Sequence, residues 1–89
     1  MKVVINSDLI NDIRLYCWRF QKKAHREGKS YIYRTYREIK KRFRIKYFHI
    51  DRIIETDPNL VLITNVMGND APIRRGDYMV ECVKPPKKV

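Results

Sequence analysis

Only three glycines and four prolines occur in the 89 residues, which excludes a collagen-like or low-complexity chain. No glycine-rich phosphate loop is present, and no serine sits in a nucleophile motif. His25 and His49 lack a cysteine or carboxylate at metal-ligand spacing. These gaps leave catalysis without its usual footholds, so the expectation is a protein that is not an enzyme and holds no cofactor and no metal. The two cysteines, Cys17 and Cys82, lie far apart inside apolar patterns, where they read as small core residues and a disulfide between them stays open. No apolar run approaches the ~18 residues needed to span a bilayer, and the start of the chain lacks the cationic and apolar regions of a secretion signal. The expected setting is intracellular and cytoplasmic, with no membrane partner. The scarcity of glutamine beside abundant Ile, Tyr, Lys and Arg is compatible with a thermophilic or viral source, and in the viral case the setting is the host cell.

What is abundant is positive charge. Twenty lysines and arginines face ten acids, a formal net charge of +10 with a pI near 9.9. That excess exceeds what solubility asks of a small domain and matches the electrostatic footprint of a phosphate-binding protein. A hydrophobic content of 44% is too high for a disordered chain. The length suits one domain, expected over residues 1–84 with a basic, mobile tail at 85–89.

Residues 1–5 read as a strand or an extended arm. Asn6 or Ser7 then caps a helix in which Leu9, Ile10, Ile13, Cys17, Phe20 and Ala24 recur at spacings of three and four, one buried stripe running to about Glu27. Gly28 supplies the stop. The flanking cations Arg14, Arg19, Lys22, Lys23, Arg26 and Lys29 form a solvated face or a phosphate-facing one. Residues 31–33 are β-prone. Thr35 and Glu38 form a capping box opening a short helix with Tyr36, Ile39 and Phe43 inward, expected to end near Arg44. A further helix is expected from Tyr47 to Thr56 with Ile50, Ile53 and Ile54 inward, closed by Asp57 and Pro58. Residues 60–66 and 78–83 read as two strands of a hairpin whose tip, around 67–77, carries Arg74 and Arg75.

This order, with Ile39, Phe43, Ile45, Ile50 and Ile53 as the apolar positions of two helices and Ile45 in the turn between them, resembles the winged helix-turn-helix superfamily. The resemblance covers about residues 9–83 and implies an α+β fold of three helices with a C-terminal β-hairpin wing. Two positions depart from the pattern: Lys40 stands where a small residue often lets the helices approach, and Arg44 where a glycine commonly makes the turn.

The resemblance implies double-stranded DNA as the partner, with the helix at 47–56 in the major groove. Rotation of about 100° per residue turns Phe48, Arg52 and Glu55 outward, with His49, Asp51 and Thr56 on the flanks. Arg52 is the candidate for bidentate contact with guanine, His49 for a base or phosphate, and Phe48 for a thymine methyl, although an aromatic in a short helix more often packs on a neighbour. Lys46 stands at the entrance. Asp51 and Glu55 oppose phosphate. Arg34, Lys40, Lys41, Arg42 and Arg44 are candidates to clamp backbone phosphates, and Arg74 and Arg75 to straddle a phosphate or enter the minor groove. A homodimer through the first helix would use Tyr16, Trp18 and Phe20. Two other classes stay open: an RNA-binding or ribosome-associated module whose tyrosines stack on bases, and a small protein-interaction or inhibitor protein.

Overall fold

A computed structural model describes residues 4–28, 35–64 and 75–86. Within them the chain forms α1 (Ser7–Arg26), α2 (Thr35–Phe43), α3 (Tyr47–Thr56), β1 (Leu60–Ile63), a single 3₁₀ turn at Arg75–Asp77, and β2 (Met79–Cys82). The arrangement is α+β, three helices followed by an antiparallel hairpin in the winged-helix layout. The expected strand at 31–33, Arg34, Arg74 and most of the wing lie outside the described residues.

Local chemistry sets the helix limits. The Asn6 side chain accepts a hydrogen bond from the Leu9 amide at 2.9 Å, satisfying a donor that the first turn of α1 leaves unpaired. At the other end Gly28, with φ of 75°, donates its amide to the His25 carbonyl, the left-handed stop expected of it. α2 ends on Arg44, which adopts a φ of 54° although it carries a β-carbon. The Ile45 amide then reaches back to the Lys40 carbonyl, the six-residue closure of a Schellman turn. Ile45 is carried into the core by this turn. The position where the resemblance leads one to expect glycine is left-handed, with an arginine bearing the strain.

Ile13 and Cys17 of α1, Tyr36 and Ile39 of α2, Ile50 and Ile53 of α3, and Leu60, Val80 and Cys82 of the hairpin pack with Ile45 into one core. Each of the buried isoleucine, leucine and valine side chains contributes roughly 1.5–3 kcal/mol. In the hairpin Leu60 pairs with Cys82 and Leu62 with Val80, so their shared face meets the helices. The alternate positions Ile63 and Met79 meet Ala24 and Phe20. Both cysteines are free and buried. β2 is four residues long against the six expected, and Pro86 is buried.

Two contacts fix the helices to the rest. Arg14 donates to both oxygens of Asp57, at 2.6 and 2.9 Å, tying the middle of α1 to the residue that closes α3. Arg14 thus leaves the set of cations expected to face phosphate. The Gln21 side chain accepts from the Cys82 amide and donates to its carbonyl, both at 2.9 Å. The only glutamine in the sequence acts as one residue of an added strand.

Candidate nucleic-acid interface

α3 supplies the outward face. Ile50 and Ile53 anchor it inside, and the 3.6-residue repeat then sends Phe48, Arg52 and Glu55 to solvent. Phe48 is 61% exposed; no core neighbour shelters its ring, contrary to what an aromatic in a short helix usually does. The Arg52 guanidinium lies 5.5 Å over that ring, one turn further along, so the two side chains form a single raised patch. A cation over an exposed ring contributes only about 0.5–1 kcal/mol, which leaves the guanidinium free to exchange partners.

The amino-terminal end of α3 is organised by His49. Its Nδ1 accepts the Lys46 backbone amide at 3.1 Å. In the neutral ring that bond commits Nδ1 as acceptor and leaves Nε2–H as the donor, so His49 offers one defined donor beside Phe48. Lys46 precedes the helix with its side chain exposed.

α2 contributes cations on two flanks. Lys40 places its Nζ 4.9 Å over the Tyr47 ring of α3, while Arg42 lies 5.9 Å over Tyr16 of α1. Two residues along a helix is a rotation of about 200°, so these neighbours face opposite sides. Lys40 stands on the α3 side and Arg42 on the α1 side, away from the other expected phosphate contacts. Lys41 and Arg44 are exposed. Lys41, Arg44, Lys46 and Arg52 have no ion-pair partner among the described residues.

Arg75 is engaged. Sequence reading places it at the wing tip; the structure puts it in the turn just before β2, where its guanidinium donates to the Tyr36 hydroxyl at 3.1 and 3.2 Å and to Asp51 at 2.8 Å. The Tyr36 hydroxyl in turn donates to the other Asp51 oxygen at 2.5 Å. Tyr36 stacks on Tyr47, ring centroids 4.4 Å apart and nearly parallel. Burial, reinforced by the hydrogen bond to Asp51 and opposed by Arg75, pushes the Tyr36 hydroxyl up to about 12. The cluster also neutralises Asp51, whose charge on α3 would otherwise oppose phosphate. Glu55 keeps its exposed carboxylate near the far end of the helix.

The structure thus brings Lys40, Lys46, Phe48, His49 and Arg52 around α3 and its entrance, with Lys41 and Arg44 on the adjoining α2 and its turn, while Arg75, still exposed, is held by Tyr36 of α2 and Asp51 of α3. The Tyr36, Asp51 and Arg75 cluster is the part that sequence reading missed; the Thr35 and Glu38 pattern put the start of α2 at Thr35 but did not say which way Tyr36 would reach. No helix among the described residues is long and apolar enough to cross a membrane. No protein-family model, curated protein or solved structure matches the chain, so its chemistry must be read from its own geometry.

Proposed function

We propose that this protein is a winged helix-turn-helix protein that binds double-stranded DNA, with α3 in the major groove, and that it acts as a regulator of transcription. The supporting observation is the solvent-facing Phe48 and Arg52 pair on a helix whose opposite face is locked into the core. A fully formed helix presenting an arginine, a directed imidazole donor and an apolar ring suits base edges, where guanine offers two acceptors and thymine a methyl. Lys40, Lys41, Arg44 and Lys46 surround that helix on the side where backbone phosphates would run, supplying affinity and register.

Duplex is favoured over unpaired RNA by the fate of the tyrosines. Tyr36 is buried and stacked on Tyr47, Tyr16 packs against Phe20 and Phe43, and Tyr78 leans on Tyr36. Each of these four tyrosines therefore already has an aromatic neighbour, which disfavours the side-by-side stacking of unpaired bases on them.

The test is a titration with a random duplex of about 30 base pairs and a single-stranded RNA of the same sequence, at two salt concentrations. Duplex binding should weaken roughly a thousandfold or more between 50 and 200 mM salt if six to ten phosphates are engaged. Arg52→Ala should cost about 1–3 kcal/mol on a preferred sequence and little on random duplex. Absence of duplex binding at low salt, or tighter binding of the RNA, overturns the reading.

A further inference from the structure

On the α1 side of α2, the flank opposite Lys40, lies an open groove of about 430 Å³ between the two helices. Its floor is aromatic: Tyr16 meets Phe43 edge to face at 5.9 Å and Phe20 at 6.0 Å. Three exposed cations stand on its rim, Arg19 and Lys23 from α1 and Arg42 from α2, with Asp12 the one carboxylate among the lining residues. None of the three cations has an ion-pair partner among the described residues. The core packing explains neither the unfilled concavity nor the cations: Ile13 and Cys17 already carry the buried face of α1.

We infer that this groove docks an acidic peptide segment of another protein, an amphipathic stretch whose apolar side chain enters between Tyr16, Phe20 and Phe43 while its carboxylates meet Arg19, Lys23 and Arg42. The rings are tilted against one another and Arg42 covers one of them, so they form a socket for a single side chain and not a flat stack for bases. The volume is that of a small binding pocket, and a helix laid in a groove needs only such anchors at one-turn spacing. A second copy of this chain suits the site poorly, because its own net charge is +10 and a symmetric contact would set the same rim cations against each other. The seam expected from Tyr16, Trp18 and Phe20 is also divided. Trp18 stands about 200° from Tyr16 around α1, packs on the main core and lies under Lys22.

The inference does not rest on duplex binding, since Lys40 and Arg42 face opposite ways and the two surfaces are separate. It is tested by fluorescence anisotropy with a labelled peptide of about twelve residues, made of glutamate and leucine around one phenylalanine, beside a control in which serine replaces the apolar residues. Saturable binding of the first peptide alone is expected, weakened about tenfold or more by Lys23→Glu with Arg42→Glu, a change of about 1.4 kcal/mol. Arg52→Ala should leave it intact, and saturating duplex should not displace the peptide. Equal binding of the serine control, indifference to the two charge reversals, displacement by single-stranded RNA, or a wild-type dimer in sedimentation that these reversals dissolve would each overturn it. Both reversed positions are exposed, and a thermal melt checks that the variant folds.

Discussion

Arg14 and Asp57 are joined by two hydrogen bonds across 43 residues of sequence, and the Asp57 side chain is only 2% exposed. The carboxylate also accepts the Asn59 amide at 3.0 Å, so one buried acid fixes the end of α3, the start of the hairpin and the middle of α1. Removing one partner strands the other charge. Because the Arg14 side chain is 25% exposed and can take up water, Asp57→Ala should cost about 1–3 kcal/mol of folding stability, read by urea unfolding; a loss below about 0.5 kcal/mol would show that the pair is dispensable.

The same pair sets an acid limit. Burial alone pushes the Asp57 carboxyl up, but the Arg14 hydrogen bonds and the Asn59 amide outweigh it, so its pKa falls below the usual value. A carboxyl whose folded value lies below its unfolded value stabilises the fold above the unfolded pKa, near 3.9. Stability should decline as pH drops from about 4 through the folded value, and Asp57→Asn should flatten this part of the profile.

At Arg44 strain and contact can be separated. A left-handed residue with a β-carbon costs about 1–2 kcal/mol, part of which glycine returns through its freer unfolded chain. Arg44→Gly should raise stability by about 0.5–1 kcal/mol, a few degrees in melting temperature. If Arg44 meets a phosphate, the same change should lower the salt slope of duplex binding by about one. A lower melting temperature would contradict the turn geometry.

Phe48 offers the converse case. Since its ring is exposed, Phe48→Ala should change stability by less than about 0.5 kcal/mol while weakening binding to a thymine-containing preferred site. A large drop in melting temperature with unchanged binding would return Phe48 to a packing role.

Asp51→Asn removes the charge that holds Arg75. Random-duplex affinity should rise and its salt slope steepen, because α3 loses a carboxylate and Arg75 loses its ion-pair partner. The wild-type cluster also predicts a base limit. Tyr36 titrates higher folded than unfolded, near 12 against 10, so stability is full below pH 10 and falls as pH rises toward 12. Ultraviolet titration of tyrosinate in Asp51→Asn should find the highest hydroxyl moved down.

Local pattern carried much of this structure and distant pairing carried the rest. The limits of α3 follow from apolar spacing and Pro58, and Asn6 and Gly28 mark the ends of α1 by their own conformational preferences, whereas Arg44 ends α2 against its preference. Arg75 read as a wing-tip cation because nothing adjacent in sequence reveals that Tyr36 and Asp51 meet it. Arg14 read as one of a basic row for the same reason, its partner lying beyond two further helices. Arg42 and Trp18 are different: the helical repeat alone separates Arg42 from Lys40 and Trp18 from Tyr16, so their divergence was legible once each helix was given a buried face.

Gln21 closes off a hazard that a short hairpin carries. An outer strand with a free amide and carbonyl is a template on which another chain can pair. At Cys82 both groups are already taken by a side chain rooted in α1, a self-made stopper that cannot polymerise because it belongs to a helix. Growth of the sheet past that point would first have to pull Gln21 away, so at this stretch of edge the protein resists sticking to itself through the shape of a single amide.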